Sequence, residues 1–253
     1  MQGLSSQTES RLGERLSTPM RPVALDQARV FIVVAAYNEA ASIGDLVRDL
    51  MEQYAHVVVV DDGSTDETAE LAQEAGACVL THLINRGQGA ALQTGIAYAL
   101  SRAADYIVTL DVDGQYDVKD IALLLSPISD GRVHATLGCR APSEHHKPSL
   151  GLRMRRVLYA LGKLGARLGL PPAVPDAHNG LCAFSRHAAQ MIDLKLDRMT
   201  HGSEIVQQII SGGLKMQEVP VRVRVSDYAL RKGQRSSAAL RVAFKYIMAR
   251  FTR

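Results

Sequence analysis

The sequence has few cysteines, no long apolar run and little net charge. Its cysteines, Cys78, Cys139 and Cys182, lie far apart and show no metal-ligand spacing. Scattered thiols in an odd number favour a reducing compartment, so we expect a cytoplasmic protein. No stretch is long and apolar enough to cross a bilayer, and the first residues lack the apolar core of a secretory signal. A formal charge of +3 is too small to indicate a nucleic-acid partner.

The chain also lacks internal repeats, and its length and composition favour one large domain. It has 253 residues, of which 47% are hydrophobic, and can therefore bury a core. The polar, Ser/Thr-rich residues 1–27 are expected to form a flexible arm, and residues 238–253 a basic amphipathic helix. From Arg222 to Arg253 there are nine Lys or Arg residues and one acid, Asp227. That bias favours an anionic partner, although a solvated basic tail would show it too.

Apolar runs of strand length alternate with segments of helical spacing over more than a hundred residues. The runs are residues 29–37, 56–64, 77–83, 106–114 and 133–140, and the helical segments are 41–54, 65–76, 89–103 and 120–128. The runs are continuously apolar, which is typical of parallel strands buried on both faces. The pattern predicts an α/β fold with a mostly parallel sheet and helices on both faces.

Polar clusters follow three of these runs at the point where each run ends. They are Tyr-Asn-Glu at 37–39, Asp-Asp-Gly-Ser-Thr-Asp at 61–66 and Asp-Val-Asp-Gly-Gln at 111–115. The carboxyl ends of parallel strands meet at one edge of a sheet, where ligands of such folds bind. We therefore expect the three clusters to form one site.

Asp111 and Asp113 are two residues apart, so in an extended backbone they face the same side. Two hard oxygen donors on one side suit Mg²⁺ or Mn²⁺, and Gln115 adds a neutral oxygen. The alternative is that these acids form a turn or cap the next helix.

Asp61 and Asp62 are suited to accept hydrogen bonds from a base or a ribose, with a turn as the alternative. Gly87 and Gly89 precede a helix and give a weak phosphate-binding signal. Arg86 beside them would neutralise a diphosphate or nearby carboxylates, with an ordinary surface arginine as the alternative. A hydride-transferring dinucleotide enzyme fits the sequence poorly, because its glycine fingerprint should follow the first strand, where this chain has "AAYNEAASIG".

Four motifs in this order resemble glycosyltransferase family 2: "VVAAYNEAASIGDLV", "VVVVDDGSTDET", "NRGQGAALQTGI" and "TLDVDGQYD". Within the family the chain is most similar to the polyprenyl-phosphate glycosyltransferases, of the dolichol-phosphate mannose synthase type. The later segments "DAHNGLCAFSR" and "YALRKGQRSS" share this similarity. The resemblance implies a GT-A (Rossmann-like) fold with amphipathic interface helices, and metal-dependent, inverting transfer of a sugar from a nucleoside diphosphate. It divides the domain 28–237 into a nucleotide-sugar half, 28–140, and an acceptor half, 141–237.

The resemblance also assigns roles to residues. Those matching the nucleotide site are Tyr37, Asn38, Glu39, Asp61 or Asp62, Arg86, Asp111 and Val112, and those matching the metal motif are Asp111, Asp113 and Gln115. Ala36 stands where the family usually has proline, which removes no functional group.

The acceptor is expected to be a lipid phosphate. A phosphate monoester is largely dianionic near neutral pH and needs cations to position it, whereas a hydroxyl acceptor needs a general base. The candidate phosphate-binding residues are Arg140, Arg153, Arg156, Arg231 and Arg235. Asp113 and Arg140 are the expected catalytic residues, and Glu204 is the candidate base for a hydroxyl acceptor, although a helix-N-terminal acid would look the same.

Residues 150–169 carry an apolar helical stripe beside a stripe of Arg153, Arg156, Lys163 and Arg167. Such a helix lies in a bilayer interface or packs its apolar face on the sheet. The sequence thus predicts a cytoplasmic enzyme, peripheral on the inner membrane face, that moves a hexose from a UDP- or GDP-sugar to a polyprenyl phosphate. The alternatives are a soluble family member acting on a saccharide or protein hydroxyl, a nucleotidyltransferase, and a non-catalytic nucleotide-sugar-binding protein.

Overall fold

The computed structural model describes residues 25, 27–112, 116–140, 180–194 and 201–222 of the chain. Within these residues the backbone forms one seven-stranded sheet and six helices. In chain order the elements are β1 (Val30–Ala36), α1 (Ile43–Met51), β2 (His56–Asp61), α2 (Thr68–Glu74), β3 (Cys78–Thr81), α3 (Gln88–Ser101), β4 (Tyr106–Asp111), α4 (Asp120–Ser129), β5 (Ala135–Arg140), β6 (Cys182–Ser185), α5 (Arg186–Ala189), α6 (His201–Ser211) and β7 (Met216–Val221).

The strand order is β3-β2-β1-β4-β6-β5-β7. The pairs β1–β2, β2–β3, β1–β4 and β5–β7 are parallel, and β6 runs antiparallel to both of its neighbours, β4 and β5. The predicted mostly parallel sheet is therefore confirmed. From β1 the chain continues to β2 and β3 on one side of β1 and then returns to β4 on the other side. At such a switch point a crevice opens beyond the strand ends.

The central strands are buried on both faces because their residues are almost all β-branched or apolar. Ile32, Val33 and Val34 of β1 are each 0% exposed, which explains why this run is continuously apolar instead of alternating. Neighbouring side chains along β1 point to opposite faces, so the strand contributes to two separate cores.

One core lies under α1, α2 and α4, and the other under α3, α5 and α6. The first contains Ile32 with Ile43 of α1 and Leu124 of α4, and the second contains Val33 with Ile96 of α3. Both faces of the sheet are thus covered by helices, as predicted, which leaves the strand ends of the described domain to form a site.

Some predicted elements lie outside the described residues. These are most of the flexible arm predicted at 1–27, the interface helix at 150–169 and the basic helix at 238–253. Among the residues that the structure describes, no helix is both long enough and apolar enough to span a bilayer.

Candidate active site

The register of the parallel strands brings the predicted acidic positions to one edge. Ala36 at the end of β1 pairs with Asp61 of β2, and Ala35 pairs with Asp111 of β4. The two aspartates therefore flank the end of β1, on either side of the switch point. The expectation that separate polar clusters meet at this edge is confirmed for the clusters at 37–39 and 61–66 and for Asp111.

The loop after β1 is bound to the loop after β2. The Asn38 amide donates to Ser64 Oγ at 2.9 Å, and Asn38 Oδ1 accepts from the Thr65 amide at 2.9 Å. The Glu39 amide donates to Thr68 Oγ1 at 2.8 Å. Asn38 has φ 53°, a left-handed conformation that asparagine tolerates better than most residues. The two loops therefore form one rigid wall of the crevice.

Asp61 is 2% exposed, and only one of its carboxylate oxygens is used by the described residues. Oδ1 accepts from the Ser64 amide at 3.1 Å and from the Ser64 hydroxyl. Oδ2 has no hydrogen-bond partner in the part of the chain that the structure describes. A buried acceptor without a protein donor is costly, so this oxygen is suited to accept from a ligand.

Asp62, 3% exposed, uses both oxygens inside the protein. Oδ1 lies 2.7 Å from His82 Nδ1 and accepts from the Arg86 amide at 2.9 Å, and Oδ2 accepts from the Gly87 amide at 2.6 Å. This carboxylate ties the end of β2 to the turn before α3. Its contacts favour a structural role over contact with a nucleotide base.

Asp111 lies between residues from two distant segments. Gln88 Nε2, in the first turn of α3, donates to Asp111 Oδ1 at 2.6 Å. A Cβ atom on Gly180 would lie 1.8 Å from Asp111 Oδ2, so only glycine leaves room for this carboxylate. The orientation of Asp111 is therefore set by an amide donor on one side and by a missing side chain on the other.

The charge of Asp111 also acts on Cys182 in the adjacent strand. Burial, together with this nearby negative charge, raises the pKa of the Cys182 thiol to about 12, and a hydrogen bond with Thr109 opposes the shift. The thiol is therefore protonated near neutral pH and unsuited to act as a nucleophile or a thiolate ligand.

The other predicted residues differ in how far they face the crevice. Tyr37 is 43% exposed just after β1, and Arg86 is exposed in the turn before α3. The Val112 side chain is 3% exposed and packs in a core, so only its backbone could meet a nucleotide. Glu204 lies in the first turn of α6, where Oε1 is 3.5 Å from Gln208 Nε2, and Arg140 ends β5.

Several predicted residues lie outside the described residues, and their placement stays a prediction. They are Asp113, Gln115, Arg153, Arg156, Arg231 and Arg235. Within the described ranges, no three His, Cys, Asp or Glu side chains converge as a metal site. Asp111 supplies a hard carboxylate oxygen at the expected place, and the rest of the predicted set consists of oxygen donors, which fits Mg²⁺ or Mn²⁺.

The sequence patterns did not single out three residues that the structure brings into the site: His82, Gln88 and Thr94. Their contacts join residues 12 to 23 positions apart in the chain: His82 with Asp62 and Thr94, and Gln88 with Asp111. The only local signal was the pair of glycines on either side of Gln88. Such a pair indicates that the backbone approaches something closely before a helix, but it does not indicate that Gln88 contacts Asp111. Gly180 was noted only as part of a resembling motif, without its contact to Asp111.

Comparisons with known proteins cover most of the chain. The family model described as glycosyl transferase family 2 matches residues 31–192. An uncharacterised protein of Methanocaldococcus jannaschii is 35% identical over 227 residues, which are 88% of this chain and 93% of that protein. The UDP-N-acetylglucosamine–dolichyl-phosphate N-acetylglucosaminyltransferase of Methanococcus voltae is 26% identical over 239 residues, which are 87% of this chain and 95% of that protein.

Among solved structures, glucosyl-3-phosphoglycerate synthase from Mycobacterium tuberculosis superposes on this chain. Its complex with phosphoglyceric acid gives a TM-score of 0.63 at 20% identity, over 90% of this chain and 78% of that one. Its complex with Mn²⁺ and uridine-diphosphate-glucose gives a TM-score of 0.58 at 20% identity, over 85% of this chain and 75% of that one. At these identities the likeness establishes a shared fold.

Proposed function

Because the chain belongs to glycosyltransferase family 2 and has the GT-A fold, we propose that it transfers a hexose, with inversion, from a UDP- or GDP-sugar to a polyprenyl phosphate. The observation that carries the donor part of this proposal is the pair of carboxylates, Asp61 and Asp111, held on either side of the end of β1. Parallel strands that end in acids at a switch point make a site for a nucleotide and a cation.

The nucleotide lies at the end of β1 and β2. Asp61 Oδ2 accepts a hydrogen bond from an N–H of the base, because it is a buried oxygen to which no described residue donates. Asp62 does not take this part, because His82, Arg86 and Gly87 already donate to it. Tyr37 offers an exposed ring at the same edge. Of the two aspartates that the sequence left open, we assign the base contact to Asp61.

The divalent cation would be held by Asp111 and Asp113 with Gln115, all oxygen donors. When bound, it supplies charge that offsets the charge developing on the departing diphosphate. The chain's own contribution is the alignment of Asp111, through the Gln88 amide on one side and Gly180 on the other. Arg86, exposed beside the turn before α3, adds a positive charge next to the diphosphate.

The acceptor side is proposed from the similar proteins and from the chemistry of phosphate. The Methanococcus voltae relative is named as acting on dolichyl phosphate. A phosphate acceptor is already a dianion, so it requires positioning by Arg140, Arg153, Arg156, Arg231 and Arg235, and no general base. The reaction takes place on the cytoplasmic face of the membrane, where such a lipid presents its headgroup.

A thermal-shift panel of UDP- and GDP-sugars, with and without Mn²⁺, tests the donor site. A donor at a hundred times its Kd adds about 2.7 kcal/mol of stability, which raises Tm by roughly 5–10 °C in a chain of this length. Asp111→Ala should abolish the part of the shift that depends on Mn²⁺. Asp130→Ala, which removes an exposed carboxylate paired only with Arg132 among the described residues, should leave that part unchanged.

Radiolabelled donor and polyprenyl phosphate then test the acceptor. We expect labelled lipid in the organic phase and no transfer to free sugars. If the sugar is instead transferred to a saccharide or protein hydroxyl, and Glu204→Gln abolishes this transfer, the acceptor is a hydroxyl and not a lipid phosphate. A donor site that binds neither UDP- nor GDP-sugar would contradict the proposal as a whole.

A further inference from the structure

His82 lies beside the site and contacts two elements through its two ring nitrogens. Nδ1 is 2.7 Å from Asp62 Oδ1, and Nε2 is 3.0 Å from Thr94 Oγ1 on α3. The side chain is 9% exposed, and the backbone amide of His82 donates to the Asp61 carbonyl at 2.9 Å. The ring is therefore held in place by the strand behind it and by the helix beside it.

An ionised carboxylate can only accept hydrogen bonds, so Nδ1 of His82 carries the hydrogen that points at Asp62. With this hydrogen, Asp62 accepts from three donors: the imidazole, the Arg86 amide and the Gly87 amide. A carboxylate that accepts several hydrogen bonds is fixed in both position and rotation.

Asp62 in turn fixes the start of α3. Gly87 has φ 93°, a conformation that other residues rarely adopt, and its carbonyl accepts from the Ala91 amide in the first turn of α3. The next residue, Gln88, reaches Asp111 at 2.6 Å. A shift of the turn at Arg86–Gly87 would therefore move the amide that orients Asp111.

We propose that His82 is a positioning residue that acts through Asp62 on the Arg86–Gly87 turn, so that Gln88 holds Asp111 in the orientation needed to hold the cation that meets the donor diphosphate. The inference rests on the proposed function, since it assumes that the diphosphate binds beside Asp111. It assigns His82 no contact with the substrate.

Two substitutions separate the two contacts of the ring. In His82→Asn the amide nitrogen lies as many bonds from Cα as Nδ1 does, so it can donate to Asp62 but cannot reach Thr94. In His82→Gln the amide nitrogen matches Nε2, so it can reach Thr94 while the donation to Asp62 is lost. Each variant keeps one contact and loses one, and their melting temperatures should be similar.

Nucleotide affinity should distinguish the two variants. With Mn²⁺ present, we expect the Kd of UDP or GDP, whichever the wild type binds, to rise about tenfold in His82→Gln, the effect of one hydrogen bond to a charged group. His82→Asn should stay within about threefold of the wild type. The amide protons of Arg86 and Gly87, followed by NMR, should exchange faster with solvent in His82→Gln only.

Thr136→Val controls for stability. It removes a buried hydroxyl on β5 that donates to the Leu124 carbonyl at 2.9 Å, and Thr136 contacts neither His82 nor Asp62 among the described residues. It should lower Tm without changing the nucleotide Kd. This result would show that lost stability alone does not weaken binding.

Equal nucleotide Kd values for His82→Asn and His82→Gln, with equal amide exchange, would overturn the inference. Should His82→Gln not fold, Gln88→Met tests the far end of the same chain of contacts, and an unchanged nucleotide Kd there would overturn it too. If the wild type binds neither UDP nor GDP, the proposed function fails. The amide exchange of Arg86 and Gly87 would still decide whether His82 positions the turn.

Discussion

At the scale of single residues, the position of Asp111 depends on a strand pairing that leaves no room for a side chain. β4 and β6 are antiparallel, with Thr109 opposite Cys182. Continuing this register by two residues in each strand places Asp111 opposite Gly180. A side chain opposite Asp111 would occupy the space of its carboxylate, since a Cβ there would lie 1.8 Å from Oδ2. Gly180 is therefore needed for Asp111 and not for backbone freedom.

Replacing Gly180 by alanine should impair activity more than stability. The added Cβ forces the Asp111 carboxylate to rotate away, and a displacement of about 1 Å at a reacting centre can lower the rate roughly 10²-fold. We expect kcat/KM to fall by this order and the free energy of unfolding by about 1–3 kcal/mol, as for other overpacked sites. Steady-state kinetics and urea denaturation measure the two effects.

Gly44→Ala is the matched control, because a Cβ there would meet only the flexible Arg48 side chain, at 3.6 Å. Gly44 lies within α1, where alanine is favoured over glycine by about 0.5–1 kcal/mol. This variant should be at least as stable as the wild type and fully active. Full activity in Gly180→Ala as well would contradict the role given to the Asp111 orientation.

At the scale of elements, the sequence predicted the strands that a local pattern of residues specifies. It missed the strand whose direction depends on pairing between residues that are distant in the chain. β1, β2 and β4 were predicted because each is a run of β-branched residues that ends in polar ones, and their common direction follows from the helices between them. β6 was not predicted as an antiparallel strand. It has four residues, and no periodicity indicates the direction in which so short a strand joins a sheet.

The same limit applies to the site. Asp61, Asp62 and Asp111 were predicted because each follows a strand that local pattern identifies. The different roles of Asp61 and Asp62 were not predicted, because they depend on which hydrogen-bond donors reach each carboxylate. His82 and Gly87 contact Asp62 through the pairing of β3 with β2 and the position of α3, and neither is specified by a local pattern.

The seating of α3 on the sheet gives a prediction at this scale. A Cβ on Gly95 would lie 2.3 Å from Val33 Cγ1 and 3.2 Å from Val60 Cγ2, so the helix rests directly on β1 and β2. Gly95→Ala should push the helix outward and cost about 1–3 kcal/mol of unfolding free energy, measured by urea denaturation. Because Gln88 begins the same helix, activity should fall too.

The double variant Gly95→Ala, Val33→Ala is the control, because it removes the methyl groups that the new Cβ would meet. It should recover activity relative to Gly95→Ala, although the smaller Val33 side chain has its own stability cost. If the single variant is as stable and active as the wild type, α3 can move without consequence and the close approach is not needed.

At the scale of the whole molecule, the chain separates acids from cations. The acidic residues of the donor site precede position 116, whereas the candidate phosphate-binding arginines begin at Arg140 and continue to Arg235. The sheet connects the two parts, since β6 pairs with β4 of the donor side and with β5, which ends at Arg140. The acidic part would hold the cation and, through it, the sugar donor, whereas the basic part would hold the lipid phosphate. The two reactants would therefore bind to regions of opposite charge.

This separation predicts binding to anionic membranes through the basic stripe of residues 150–169. Each Lys or Arg near an anionic surface contributes about 1 kcal/mol, so Lys163→Gln with Arg167→Gln should weaken binding by roughly 30-fold. Arg48→Gln with Arg132→Gln removes the same charge from exposed positions in the described domain and should leave binding unchanged.

Vesicle flotation measures the binding of both double variants. Raising the salt from about 0.1 M to 1 M shortens the Debye length from about 10 Å to 3 Å and should release the wild type from the vesicles. If the wild type does not float with anionic vesicles, or if both double variants lose binding equally, the stripe packs against the protein instead of the membrane.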